Sequence, residues 1–405
     1  MTAARSRAVQ ALLAAAVFLA AWALLGHGFF AHGRITDTPF YQGYGLQMRL
    51  GEVPYRDFSV DYPPGALPVF VAPTYVGHPT DIFDYDRWFA RLMAACGLAC
   101  LAFVLLARAP VTGIALVAVS PLLLGPLVLS RYDLWPAAFV AAAVTALAAD
   151  RHRLGWLALG LAFAAKLYAV VLLPLAIAWT LRRRGRPEVL RGVAIWAVTV
   201  AAIFAPFAFI APHGLWSSLW NQVSRPIQIE SLAGSLLTTF GHPHAILAAN
   251  SVSIADHRGL EATTTVLEAA CLVALWVAFA RGPAERARFF RYAAACVCAF
   301  VTLGKVLSPQ YLIWLVPLVA LVRGRRGIAA AALLAAVMVE TQYWFYAPRY
   351  RAYSEHFHHA PLVLARNLAL VVLLGILASP VRSGDARLAS FRPRAKAALR
   401  GERAE

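Results

Sequence analysis

Ala8–Phe30 reads AVQALLAAAVFLAAWALLGHGFF, a run without a single acid, lysine or arginine. A bilayer core is crossed by roughly 20 apolar residues in helix, so this segment is long enough to span. Arg5 and Arg7 precede it. The run exceeds a signal-peptide core and no small-x-small cleavage site follows, so it reads as a retained anchor. Comparable runs recur at Trp88–Ala107, Val111–Leu129, Leu134–Ala149, Val189–Ile210, Thr263–Ala280, Phe289–Leu303, Tyr311–Val322, Ile328–Tyr346 and Pro361–Ser379. Leu154–Leu181 is too long for one span and is interrupted by Lys166, so it reads as two short helices meeting near that lysine. Backbone groups in hydrocarbon must bond internally, and the period-2 alternation of a barrel is absent. The expectation is an all-α polytopic membrane protein of about 12 helices.

The net charge of +17 invites a nucleic-acid reading, but its distribution argues against one. With the N-terminus in the cytoplasm and sides alternating, cytoplasmic segments hold 24 of 37 Lys and Arg but 6 of 20 acids, a balance of +18 (24 − 6), against −1 (13 − 14) elsewhere. This is the positive-inside pattern. It accounts for the charge without nucleic acid, places both termini in the cytoplasm of a multi-pass cell-membrane protein, and adds some attraction to anionic membrane lipids. The five cysteines all sit in apolar segments and fit neither a zinc site nor a disulfide framework. The chain divides into one membrane domain, residues 1–381, and a basic cytoplasmic tail, 382–405. No internal repeat is visible.

Two non-cytoplasmic loops are long, 31–87 and 211–261. The first packs Asp37, Asp57 and Asp61 with tyrosines around Tyr62-Pro63-Pro64-Gly65. The apolar stretch Ala66–His78 is too short to span and reads as a helix in the outer interface. Asp37 follows the first span at the membrane surface, where a carboxylate can act as general base toward a hydroxyl. The alternative is a helix cap beside Thr36 and Pro39. Asp57 and Asp61 are loop-shaping or acceptor-holding candidates, or plain turn residues.

Only three lysines occur. Lys396 is in the tail, whereas Lys166 and Lys305 lie in apolar sequence near the outer ends of spans. Intramembrane ionisable groups mark function, and a lysine suits a phosphate oxygen; snorkelling is the alternative. Each lysine is near a tyrosine and a helix-breaking proline: Lys166-Leu167-Tyr168 with Pro174, and Gly304-Lys305-Val306-Leu307-Ser308-Pro309-Gln310-Tyr311. Broken helices at membrane depth line cavities. Arg131-Tyr132-Asp133 reads as a structural ion pair opening a span. Arg366, two turns into the last span, needs a carboxylate such as Glu340 or an anionic ligand. His356, His358 and His359 suggest a metal cluster, but no carboxylate or thiolate spacing completes one, so no metal is expected; His356 stays a surface-loop or substrate contact.

The run Asp37…Tyr41…Gly51-Glu52-Val53-Pro54-Tyr55-Arg56-Asp57-Phe58…Asp61-Tyr62-Pro63-Pro64-Gly65 resembles the bacterial membrane glycosyltransferases of the GT-C superfamily. Within them it is most similar to the polyprenyl-phosphate-mannose-dependent mannosyltransferases of actinobacteria. Ser130-Arg131-Tyr132-Asp133-Leu134, Ala165-Lys166-Leu167-Tyr168, Gln228-Ile229-Glu230-Ser231-Leu232 and Gly304–Tyr311 look like recurring blocks of the same group. The resemblance implies a GT-C-like fold and inverting transfer of a sugar from a polyprenyl phosphate to a lipid or glycan acceptor on the non-cytoplasmic side, without a cofactor. It implies Asp37 as base, Lys166, Lys305 and Arg366 at the donor phosphate, and Asp57, Asp61, Tyr62, Glu230 and His356 at the acceptor and its loop. Thr38 follows Asp37, so the paired acids of some superfamily members are missing, which favours a single base over a metal. The competing class is a transporter or flippase for lipid-linked sugars.

Overall fold

The computed structural model describes residues 2–31, 36–248 and 251–379. The tail expected at 382–405 lies outside the described residues. The chain is a bundle of helices. Among the described residues six are individually long and apolar enough to cross a membrane: Arg5–Leu24, Ile82–Leu106, Arg186–Ile210, Arg258–Arg281, Gly324–His356 and Ala360–Ala378. The other apolar segments form shorter or more charged helices, among them Val111–Leu124, Leu134–Ala148, His152–Ala165, Leu173–Arg184, Arg286–Leu303 and Leu312–Val319. In Arg186–Ile210 none of the most apolar window is buried inside the protein. It packs on His152–Ala165 along one side only, and an apolar helix with the rest of its surface uncovered needs lipid around it.

At the centre, Arg286–Leu303 packs against Arg258–Arg281, Leu312–Val319 and Ala360–Ala378. Its run Ala293-Ala294-Ala295-Cys296-Val297-Cys298-Ala299 is fully buried, because small side chains let helix backbones approach closely. The cysteines are free thiols, four of them buried.

Two helix breaks face one another across this core. The first falls at Lys166, whose extended backbone (φ −161°, ψ 127°) ends His152–Ala165; six residues of tighter helix lead to Leu173–Arg184, with Pro174 in its first turn. The second runs from Gly304 to Ser308, ahead of a turn at Pro309–Tyr311.

The outer segments differ from the expectation in three ways. The 66–78 stretch is not one interfacial helix. It is three short helical pieces, Pro64–Ala66, Leu67–Val71 and Ala72–Tyr75, with Ala66, Leu67, Val69 and Phe70 buried against protein. Pro64, Pro68 and Pro73 each restart the helix rather than allow it to run on. The longer helix of this loop is Thr38–Arg49, which follows Asp37 directly. The loop 211–261 contains a small antiparallel sheet, order β1-β3-β2, from Ile227–Gln228 (β1), Ala245–Ala248 (β2) and Ser251–Ile254 (β3). Two to four residues per strand leave no alternation to read in the sequence.

Candidate active site

Asp37 stands at the N-cap position of Thr38–Arg49 but makes no side-chain cap bond. The backbone N–H of Thr38 donates instead to Thr36 Oγ1 (3.1 Å). The Asp37 carboxylate turns inward and pairs with Arg131, while the Tyr41 hydroxyl donates to its Oδ2 (3.4 Å). Below it, Tyr41, Tyr62, Phe70 and Tyr132 pack ring on ring, with Tyr41 stacked on Phe70 at 4.5 Å. The loop is thereby anchored to the membrane helices.

Arg131 therefore does not pair with Asp133, as their spacing suggested. Asp133 is 1 % exposed and accepts from Lys166 Nζ (2.5 Å) and from the Trp314 indole (2.7 Å) through one oxygen, Oδ1. Its Oδ2 is buried with no hydrogen-bond partner. Two residues apart at the start of a helix, the side chains leave in different directions. Lys166 is held by Asp133 on one side and by the faces of Tyr132 (4.5 Å) and Trp314 (5.0 Å). Gly65 abuts this break. A Cβ there would fall 2.5 Å from the Ala164 carbonyl, and Trp135 Nε1 donates to the Gly65 carbonyl (3.0 Å). Only glycine lets the double-proline turn lie this close to the end of His152–Ala165.

Asp37, Tyr62, Arg131 and Lys166 line one cavity of ≈ 380 Å³. Its cations are Arg131, Lys166 and Arg225; its acids are Asp37, Asp61 and Glu230. Ser308, Gln310 and Tyr311 come from the second break, and Tyr346 and Tyr350 close another wall. Arg131 also donates to the Tyr346 hydroxyl (3.3 Å). Glu230 is 2 % exposed and accepts from Gln228 Nε2 (2.9 Å), while its Oε1 has no partner. Burial pushes its carboxyl up to about 7, with Arg366, Arg131 and the Gln228 bond pulling the other way. Arg366 lies behind this wall rather than in it. Its Nη2 donates to the Glu230 carbonyl (2.5 Å), which Asn367 Nδ2 also reaches (3.1 Å). It thus hydrogen-bonds a backbone oxygen, and the Glu340 and Glu230 carboxylates are its electrostatic neighbours.

The remaining candidates are placed elsewhere. Tyr62 and Asp61 line the cavity, and the Gln222 amide holds the Asp61 carbonyl. Lys305 is absent from the wall. Its carbonyl accepts from Gln228 N–H (2.9 Å), and its side chain has Glu268 as electrostatic neighbour. Asp57 is at the surface with Arg56 (2.9 Å), whose guanidinium, helped by the Val53 N–H, holds its carboxyl below the usual carboxylate range. His356 is exposed next to Glu355 (4.0 Å) and His358. No three His, Cys, Asp or Glu among the described residues cluster as metal ligands. Arg225 went unread in the sequence, although a cation in an acid-leaning outer loop, before Pro226, was a signal.

A helical membrane bundle with a polar cavity of this kind sets carboxylates that can take a proton against cations that can hold an anion, between broken helices. The chain belongs to glycosyltransferase family 87, whose family model matches residues 60–309. The match takes in Asp61, Arg131, Lys166, Arg225, Glu230 and Lys305; Asp37, Asp57, His356 and Arg366 lie outside it. No curated protein matches the chain. The protein is a membrane glycosyltransferase.

Proposed function

We propose that this enzyme transfers a sugar, mannose on likeness to its GT-C relatives, from a polyprenyl phosphate to a lipid or glycan acceptor on the non-cytoplasmic face of the cell membrane. The observation that carries the reading is the convergence of Asp37 with Arg131, Lys166 and Arg225 on one cavity. Asp37 takes the proton of the acceptor hydroxyl, whose oxygen attacks the anomeric carbon. The bond from that carbon to the phosphate oxygen breaks, and its electron pair leaves on the polyprenyl phosphate. One displacement inverts the anomeric configuration. The leaving group is already an anion, so nearby positive charge serves it better than an acid. Lys166 uses one of its three N–H groups on Asp133 and has two for the phosphate. Arg131 holds Asp37 in the resting cavity. A donor phosphate offers Arg131 a second anion, and its move toward that anion raises the basicity of Asp37 when the acceptor arrives.

The test is transfer by purified protein in nanodiscs from a defined polyprenyl-phosphate sugar. Asp37→Asn keeps size but cannot take the proton, and loses about 10²–10⁴ in rate with donor still bound. Near wild-type transfer by Asp37→Asn removes Asp37 as base.

A further inference from the structure

A second region, away from the reaction cavity, combines two opposite chemistries. An apolar groove of ≈ 700 Å³ runs between helices Ile82–Leu106, Leu134–Ala148 and His152–Ala165. Alanines, among them Ala95, Ala99, Ala138, Ala142 and Ala146, alternate with large apolar side chains along it. The alanines leave an open furrow between helices, which larger side chains in their place would fill. Between Trp135 and Ala149 the groove follows one helix for about 21 Å, more than a single leaflet of a ~30 Å hydrocarbon core.

At one end the groove meets a polar cavity of ≈ 490 Å³, and Arg151 and Leu154 line both. In this cavity Arg151, Arg153, Arg184 and Arg191 outnumber Asp150 and Glu188. Both acids are already engaged, Asp150 by Arg183 (2.6 Å) and Glu188 by Arg191 (3.3 Å). Arg151 and Arg153 form no ion pair among the described residues and stand exposed. His152 is 4 % exposed, and its Nε2 has no hydrogen-bond partner although Asp150 lies 3.4 Å away. The uncapped N-terminus of His152–Ala165 opens here as well, adding its own positive end.

We propose that the basic cavity and the alanine-lined groove are one binding site for an acidic glycerophospholipid. The phosphate headgroup lies between Arg151, Arg153 and the helix N-terminus, and an acyl chain lies along the groove. Charge selects the headgroup, and the furrow that continues from it selects a lipid over a free anion. The far end of the groove is Trp135, which braces Gly65 and stands two residues from Asp133. A bound chain supports the helix that carries Asp133.

The test uses the full-length protein in detergent, with native mass spectrometry and thermal unfolding, and phosphatidylglycerol or phosphatidylcholine as probe. Phosphatidylglycerol is expected to be retained and to raise Tm; phosphatidylcholine is not. The double substitution Arg151→Gln/Arg153→Gln, on exposed side chains, should lower phosphatidylglycerol retention about tenfold or more. Ala142→Phe, which fills the groove and keeps the charges, should lower it as well. Glycerol phosphate alone should not raise Tm. Equal retention of the two lipids, unchanged retention by the arginine double variant, or full protection by glycerol phosphate overturns the proposal.

Discussion

Two helix breaks serve the reaction cavity, and they serve it in different ways. At Lys166 the break delivers a side chain: the ammonium reaches the cavity with Asp133 beneath it. At Gly304–Ser308 the break delivers backbone. The Lys305 carbonyl fixes Gln228, and Gln228 Nε2 reaches both Glu230 (2.9 Å) and Ser308 (3.3 Å). One lysine contributes charge to the wall, and the other props the strand Ile227–Gln228, two residues ahead of the wall's carboxylate at Glu230. A cation in apolar sequence beside a helix break is thus not enough to place it at a ligand. What decides is which neighbours the fold brings to each lysine: Asp133 and the cavity for Lys166, Glu268 for Lys305.

The sharpest way to break this comparison is at the first lysine. Lys166→Met removes a charge at the leaving phosphate and should lower transfer about 10²–10³-fold. It also strands Asp133, which costs on the order of 3–5 kcal/mol of stability. Lys166→Met with Asp133→Leu removes both charges, so stability should largely return while transfer stays low. Unfolding in detergent and the transfer assay separate the two effects. If transfer returns with stability, Lys166 is structural and the contrast with Lys305 disappears.

The second break can be probed through pH. Glu230 has its folded pKa raised from about 4.5 to about 7. A raised pKa means stability that is complete below the unfolded value and is lost as pH rises through the folded one, here between about 4.5 and 7. Deprotonation also adds a negative charge to a cavity proposed to bind a phosphate. Donor affinity should therefore fall about tenfold as pH rises through 7, and Glu230→Gln should flatten the dependence. A slope unchanged in Glu230→Gln assigns it to another group.

Smaller effects sharpen the contrast. Lys305→Ala leaves the backbone bond to Gln228 in place, so kcat/KM should change by less than about threefold. A loss as large as that of Lys166→Met would return Lys305 to the donor site. Asp57→Asn should have the smallest effect. Its partner Arg56 is exposed, and exposed pairs contribute little, so transfer should stay within about twofold of wild type. A dead Asp57→Asn would move the reacting carboxylate from Asp37 to the loop surface.

Much of the architecture was legible because hydrophobic length is a local property. Each apolar run announces its own helix, and Pro174 and the Gly304–Pro309 stretch announce the two breaks. The helix of the first loop was misplaced because apolar character drew attention to Ala66–His78. Pro68 and Pro73 divide that stretch into short, contiguous helical pieces, and the polar Thr38–Arg49 takes the longer helix. The site was legible as a set of residue types and not as a set of pairs. Arg131 and Asp133 stand two apart in sequence and take partners from elsewhere: Asp37, 94 positions away, and Lys166, 33 positions away.

The sequence alone determined that this is a helical membrane protein, where its helices break, and which acids and rare lysines are candidates for its site. It did so because burial in lipid imposes a length and a composition on each segment separately. Tertiary structure alone decided that Asp37 meets Arg131, that Asp133 secures Lys166, that Lys305 stays out of the cavity wall, and that Glu230 is buried, which raises its pKa. Charge pairing and desolvation depend on distances and surroundings that arise only when segments far apart in the chain are packed together.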